Sequence, residues 1–120
     1  PDQLALDVAA PLLCAGITLY SPLNHFGCLQ RGPEMKVGIQ GFGGLGHMGV
    51  KLAKQMGCHV FVLSRSSAKK QAALDLGAEF IVTDSKEELN KHKNSFDLII
   101  STISADYDVN PYFDLLKVDG

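Results

Sequence analysis

The chain has 120 residues, of which 46% are hydrophobic, and a formal net charge of −2. This length suits one compact domain with a hydrophobic core and argues against two domains. Because lysine and arginine are spread along the sequence without a basic stripe, we expect no nucleic-acid partner and no membrane-surface partner. No apolar run approaches the roughly 20 residues that cross a bilayer, and no signal peptide opens the chain, so we predict a cytoplasmic protein.

An apolar segment precedes the first predicted strand. Residues 8–19 are apolar enough to form a helix and are interrupted only by one proline and one glycine. Residues 24–34 contain two glycines and a proline, which predicts a loop. A helix placed before the first strand is expected to pack from outside as the stem of a neighbouring domain. We therefore predict one domain with two parts, a leading helix and loop over residues 1–34 and a main body over residues 35–120.

A glycine-rich motif follows the first predicted strand, which begins near Lys36. The motif, G-x-G-x-x-G, consists of Gly41, Phe42, Gly43, Gly44, Leu45 and Gly46. Gly41 lets the backbone turn sharply, Gly43 removes a side chain that would keep a diphosphate away, and Gly46 lets the following helix pack close to the sheet. The helix then offers its unpaired N–H groups and positive dipole end to phosphate. The strand, loop and helix together predict a dinucleotide site.

Further strands and helices alternate along the rest of the chain. The sequence predicts strands over 59–63, 79–83 and 96–101, and helices over 68–76, 85–93 and 108–116. Ser66 or Ser67 can cap the helix over 68–76, and Gly77 ends it.

This alternation predicts right-handed βαβ units and a parallel sheet covered on both faces. The fold class is therefore α/β, a doubly wound Rossmann sheet. The last residues, 117–120, resemble the approach to another strand, whereas a complete two-halved dinucleotide fold has about six strands. We therefore expect the fold to be truncated at its C-terminus.

The residues at the end of the second predicted strand decide which dinucleotide is preferred. An acidic residue at this position would bind the ribose 2′-hydroxyl of NAD and repel a 2′-phosphate. Here Ser64 occupies the position, Arg65 can place its planar guanidinium on a phosphate, and Lys69 lies one turn into the next helix. This pattern favours NADP(H). The alternative is that Ser64 only caps a helix and the two cations are solvated surface.

The chain contains three cysteines, Cys14, Cys28 and Cys58, in no C-x-x-C or other metal-cluster spacing. Their spacing alone favours three reduced thiols, since free cysteine packs as a small hydrophobic residue. His47, in the first turn of the phosphate helix, is interpreted as a packing residue, with a phosphate contact as the alternative.

Three segments carry a resemblance to a known family. They are residues 10–23 (APLLCAGITLYSPL), residues 38–54 (GIQGFGGLGHMGVKLAK) and residues 64–66 (SRS). The sequence resembles the zinc-dependent medium-chain alcohol dehydrogenases and, within them, the NADP-dependent branch similar to cinnamyl alcohol dehydrogenase. The resemblance runs through essentially the whole chain and implies the middle part of an enzyme about three times longer.

The resemblance implies roles for individual residues. It makes Cys14 a ligand of the catalytic Zn²⁺ and places Thr18 near the nicotinamide. It assigns residues 41–46 to the diphosphate, Ser64, Arg65 and Lys69 to the 2′-phosphate, and Thr102 to the cofactor groove. The other family ligands of the zinc, a cysteine and a histidine, have no counterpart in this sequence.

The implied parent protein is an NADP(H)-dependent alcohol dehydrogenase or aldehyde reductase. Its Zn²⁺ would polarise a small alcohol or aldehyde substrate while hydride moves to or from the nicotinamide, and the family implies a homodimer. With one zinc ligand, the chain alone is expected to show little turnover. Two alternatives stay open: a non-catalytic module that senses the NADPH/NADP⁺ ratio, and a zinc-free quinone reductase of the same superfamily.

Overall fold

A parallel four-stranded sheet forms the centre of the computed structural model, which describes residues 3–120. Pro1 and Asp2, the first residues of the predicted leading segment, lie outside the described residues. The strands are β1 (Lys36–Gln40), β2 (His59–Ser64), β3 (Glu79–Val82) and β4 (Leu98–Ser101). Their order is β3-β2-β1-β4, and each pairing is parallel. The chain therefore reverses its direction of winding between β1 and β4, the kind of position at which open α/β sheets bind ligands.

Short helices surround the sheet. The α-helices found within residues 3–120 are α1 (Leu6–Ala9), α2 (Ala15–His25), α3 (Cys28–Arg31), α4 (Gly44–Gln55), α5 (Lys70–Asp75), α6 (Lys86–Lys91) and α7 (Asn110–Phe113). The described residues also contain 3₁₀ turns at Ala10–Leu13, between α1 and α2, at Gly32–Glu34, before β1, and at Ser67–Lys69, before α5. The predicted α/β class, the parallel sheet and the presence of all four predicted strands are confirmed.

The leading segment differs from its prediction. Residues 8–19 do not form one helix, because Pro11 lacks the N–H of an α-helical hydrogen bond and the chain forms a 3₁₀ turn over Ala10–Leu13 instead. Helix α2 then continues to His25 because Leu19 and Leu23, one turn apart, are both buried.

The predicted loop over residues 24–34 is also wrong. It contains α3 and a 3₁₀ turn. Gly27, at φ 85°, and Gly32, at φ 43°, bound a single helical turn here. The fully buried Cys28 side chain anchors that turn against the core, so packing overrides the loop signal.

Three predicted elements are shorter than expected. Helix α7 covers only Asn110–Phe113, because Leu115 and Leu116 turn back through i→i−3 bonds. Leu116 then pairs with Phe96 in an isolated bridge, and regular pairing of β4 begins at Leu98. The helix predicted over 68–76 is a 3₁₀ turn followed by α5, with Ser66 Oγ accepting the Ala68 N–H at 3.3 Å.

Hydrophobic residues are buried on both faces of the sheet. On one face α4 packs against β1 and β2 over a core that includes Val37, Ile39, Val60 and Val62, and α2 packs against α4. A Cβ atom at Gly49 of α4 would lie 3.1 Å from Leu19 Cδ1, so this glycine permits the close approach of α2. The smaller core on the other face consists of Phe61, Leu63, Ile81, Phe96 and Leu115.

A buried carboxylate connects three parts of the chain at the amino end of β1. Asp97, whose side chain is 8% exposed, accepts hydrogen bonds from Arg31 Nη2 at 3.0 Å, Lys117 Nζ at 2.9 Å and the Lys36 N–H at 2.9 Å. Burial raises the pKa of Asp97, but these three donors outweigh burial and lower the pKa below its ordinary value. This network lies at the opposite end of the sheet from the glycine loop.

Within residues 3–120 no single helix is long and apolar enough to cross a membrane. The stretch Leu6–Leu13 and helix α2 reach that length and composition only together, with a bend of 50° between them.

Candidate functional site

The glycine loop lies at the carboxyl end of β1, where the winding of the sheet reverses. Gly41 has a φ of 88°, which favours glycine, and its N–H donates to Leu63 O of β2 at 2.9 Å. A Cβ atom at Gly46 would lie 2.2 Å from Gly41 O, so only glycine allows α4 to start this close to the strand. A Cβ atom at Gly43 would meet nothing within 4 Å. The loop is therefore tight on the strand side and open above Gly43.

Helix α4 presents its amino end at this opening. Its first intrahelical bond runs from the His47 N–H to Gly43 O at 2.9 Å, so the N–H groups of Gly44, Leu45 and Gly46 precede the helical ladder. The helix has 12 residues, and no side chain caps Gly43 at its start. Unpaired N–H groups and the positive dipole end give this position the chemistry of an anion site.

Side chains on both sides of the loop hold Phe42. The Phe42 ring is buried and stacks on the His47 imidazole with a centroid distance of 3.8 Å. His47 Nδ1 lies 2.9 Å from Gly43 O, so His47 packs against the loop as interpreted from the sequence. On the other side Lys69 Nζ donates to the Phe42 carbonyl oxygen at 3.0 Å.

Thr102 supports the loop from β4. Its Oγ1 donates to Gln40 O at 2.9 Å and lies 3.4 Å from Gly41 O, while its N–H also donates to Gln40 O at 2.9 Å. The Thr102 hydroxyl therefore holds the end of β1 against the end of β4. The structure places Thr102 at the carboxyl edge, as predicted, but not among the residues that line the neighbouring cavity.

A cavity of about 290 Å³ opens beside the loop at the end of β2. Its walls come from β2 and the turn after it, from the end of β3 and from the irregular segment after β4. The lining residues are Gly41, Leu63, Ser64, Arg65, Ser66, Thr83, Ile103, Ala105, Asp106, Tyr107 and Tyr112. The structure thus brings Ser64 and Arg65 together with Gly41, whereas Lys69 contacts the loop itself.

Sequence reasoning missed the wall that faces Arg65. Asp106 and Tyr107 follow β4 in a segment with no periodic pattern, so no signal in the sequence places them here. The Tyr107 hydroxyl donates to Ser101 Oγ at 2.8 Å and its ring packs edge-on against Tyr112. The Arg65 side chain is exposed and makes no hydrogen bond or ion pair with any described residue. One cation and one carboxylate therefore line the same cavity.

Cys14 and Thr18 lie on the leading segment. Cys14 is exposed at the residue before α2, and the Thr18 N–H donates to Cys14 O at 3.0 Å one turn later. No group of three or more histidine, cysteine, aspartate or glutamate side chains that could hold a metal occurs within residues 3–120. Cys28 and Cys58 are buried, and burial raises the pKa of Cys28 to about 12.

Known proteins resemble the whole chain. It is 53% identical to cinnamyl alcohol dehydrogenase 1 of Capsicum annuum over 100% of its length, covering 34% of that protein. It is 54% identical to NADP-dependent alcohol dehydrogenase C 1 of Mycolicibacterium smegmatis, again with 100% of the chain and 34% of the relative covered. The chain therefore spans about a third of the length of these relatives.

A solved structure and a family model agree with these relatives. The structure of CAD from Helicobacter pylori complexed with NADP(H) superposes with a TM-score of 0.82 and 44% identity, over 96% of this chain and 31% of that one. The model described as zinc-binding dehydrogenase matches residues 44–120, which is more than half of the chain. This chain belongs to the zinc-binding dehydrogenase family.

Proposed function

We propose that the chain is the NADP(H)-binding part of a zinc-dependent alcohol dehydrogenase or aldehyde reductase. In this proposal residues 35–120 bind the coenzyme, and residues 1–34 join them to a catalytic domain. The parent enzyme transfers hydride between the nicotinamide and a small primary alcohol or aldehyde, and it works as a homodimer. Support comes from the family membership and from relatives whose names include cinnamyl alcohol dehydrogenase and NADP-dependent alcohol dehydrogenase.

One observation carries the coenzyme assignment: a cavity that contains Ser64 and Arg65 adjoins a glycine loop with an open face at Gly43. The diphosphate binds at the N–H groups of Gly44 and Leu45. Ser64 offers a hydroxyl in place of a carboxylate, and the exposed Arg65 guanidinium can bind a 2′-phosphate through two parallel N–H donors.

The residues present fit the coenzyme but not a complete zinc site. Cys14 supplies one thiolate, whereas a catalytic zinc takes three protein ligands and one open position. The described residues hold no cluster that could supply the others. In the parent enzyme Cys14 is one ligand of the zinc, and the other ligands come from residues outside this chain. The bound coenzyme supplies the hydride, and the loop and cavity residues bind and orient it.

The experiment compares NADPH and NADH binding by calorimetric titration of the full chain. We expect NADPH to bind more tightly, and Arg65→Ala to narrow the difference by roughly 1–3 kcal/mol, the scale of a hydrogen bond between charged groups. Lys70→Ala is the matched control, because it removes an exposed cation near Arg65 that does not line the cavity. Equal affinities of the unaltered chain for NADPH and NADH would refute the assignment.

A second candidate is a module that binds NADPH without catalysis. The observation that favours it is an open glycine loop at the start of α4 in a chain whose described residues hold no cluster of metal-ligating side chains. Metal analysis and alcohol oxidation assays of the parent protein separate the candidates. Bound zinc with alcohol oxidation supports the dehydrogenase, NADPH binding with neither supports the module, and zinc-free quinone reduction supports a quinone reductase.

A further inference from the structure

Lys69 connects the two halves of the proposed coenzyme site. It is the last residue of the 3₁₀ turn Ser67–Lys69, three residues after the Ser66 wall of the cavity. Its ammonium group does not line that cavity. It reaches across to the glycine loop, where Nζ donates to Phe42 O at 3.0 Å.

The hydrogen bond from Lys69 Nζ to Phe42 O restricts the rotation of the whole peptide unit between Phe42 and Gly43. The peptide between Phe42 and Gly43 is trans and planar, so its carbonyl and the Gly43 N–H point in opposite directions. A donor that holds the carbonyl therefore also holds the direction of the N–H. Glycine at position 43 has wide backbone freedom, and nothing surrounds the space where its Cβ atom would lie. The peptide plane thus needs an outside contact to keep one orientation.

The other loop contacts of the described residues do not fix the orientation of the Phe42–Gly43 peptide plane. The buried Phe42 ring, stacked on His47, holds the side chain of Phe42 but not the rotation of the peptide that follows. Gly43 O is held from the far side, by the His47 N–H at 2.9 Å and by His47 Nδ1 at 2.9 Å. Among the described residues, Lys69 is the side chain that donates to Phe42 O.

We infer that Lys69 is a positioning residue for the diphosphate loop, in addition to the 2′-phosphate contact that the family resemblance implies for it. A lysine ammonium has three N–H donors, and Phe42 O uses one, so two remain for a phosphate. Lys69 therefore contributes to the binding of a nicotinamide dinucleotide whether or not the ribose carries a 2′-phosphate. This inference rests on the proposed function for its ligand but not for its effect on the loop.

The first measurement needs no coenzyme. Hydrogen exchange is followed by NMR at the amides of Gly41 and His47, which flank the loop and donate to Leu63 O and Gly43 O. Lys69→Met is expected to speed exchange at both amides about threefold, the effect of one modest hydrogen bond on local opening. Lys70→Met, which removes the same charge one residue later, is expected to change neither. Equal exchange rates in the two variants would overturn the inference.

The second measurement titrates NADH, which lacks the 2′-phosphate. Lys69→Met is expected to weaken NADH binding roughly three- to tenfold relative to Lys70→Met, and NADPH binding by more. Lys69→Arg, which keeps a long cationic donor, is expected to restore part of the NADH affinity. Loss of NADPH affinity with unchanged NADH affinity would show that Lys69 acts only on the 2′-phosphate and would overturn the inference. If the unaltered chain binds neither coenzyme, the proposed function fails, and the exchange measurement still decides the role of Lys69.

Discussion

Replacing Gly46 by alanine tests how the glycine loop is built. The new Cβ atom would lie 2.2 Å from the Gly41 carbonyl oxygen and 3.0 Å from its carbonyl carbon, both of them backbone atoms. No side chain can move to relieve this overlap, so α4 must shift away from β1. Forced overpacking costs typically 1–3 kcal/mol, whereas alanine in place of glycine inside a helix gains up to about 1 kcal/mol.

The matched control is Gly44→Ala, in the same turn of α4. A Cβ atom at Gly44 would meet nothing within 4 Å, so this variant gains helix propensity without overlap. We expect the free energy of unfolding of Gly46→Ala to be lower than that of Gly44→Ala by about 1–3 kcal/mol, measured by urea denaturation of both variants.

Gly43→Ala separates binding from folding at the same loop. Gly43 has a φ of −95°, which alanine adopts without strain, and its Cβ atom would project into open space. Stability should therefore stay unchanged while affinity for NADPH falls, because the methyl group occupies the approach of the diphosphate. Equal stabilities of Gly46→Ala and Gly44→Ala, or unchanged NADPH affinity of Gly43→Ala, would refute the description of the loop.

Three further predictions concern parts of the chain outside the loop. Gln40 is 2% exposed and its Nε2 has no hydrogen-bond partner among the described residues. Gln40→Met removes this unsatisfied donor and should raise the free energy of unfolding by about 1 kcal/mol, measured by urea denaturation. A lower free energy of unfolding in the variant would contradict this prediction. Burial, with a smaller effect of the Lys36 ammonium, lowers the pKa of His92. His92 therefore takes up its proton at a higher pH in the unfolded chain than in the folded chain, so the free energy of unfolding should decline as the pH falls below 6.5. His92→Gln should make this decline smaller between about pH 7 and 5, and an equally steep decline in the variant would show that His92 does not cause it. At pH 8, iodoacetamide should modify the exposed Cys14 and spare the buried Cys28, whose pKa is about 12, as peptide mass spectrometry would show; modification of both at similar rates would contradict the burial.

The sheet could be predicted from the sequence because each strand has a local signal. Val60, Val62 and Leu63 belong to a short apolar run that only a strand covered on both faces buries completely. The turn after β1 could be predicted from the glycine motif, because the positive φ of Gly41 and the close contact of Gly46 with the Gly41 carbonyl both require glycine. The strands and the glycine turn depend on a few residues that are neighbours in the sequence, so a local pattern predicts them.

The cavity wall and the leading segment could not be predicted in the same way. Asp106 and Tyr107 reach the cavity because β4 lies next to β1, which is a consequence of the tertiary fold. Likewise, the turn of α3 forms because Cys28 is buried against distant parts of the chain, although the flanking glycines predict a loop. The hydrogen bond from Lys69 Nζ to Phe42 O joins residues 27 positions apart, and no local sequence pattern predicts it.

A crystal structure of the full chain with NADPH would show both phosphate sites at once. We expect the diphosphate at the N–H groups of Gly44 and Leu45, and the 2′-phosphate within about 3 Å of the Arg65 guanidinium. A coenzyme bound elsewhere, or a 2′-phosphate in solvent with Arg65 turned away from it, would refute the NADP(H) site that we propose.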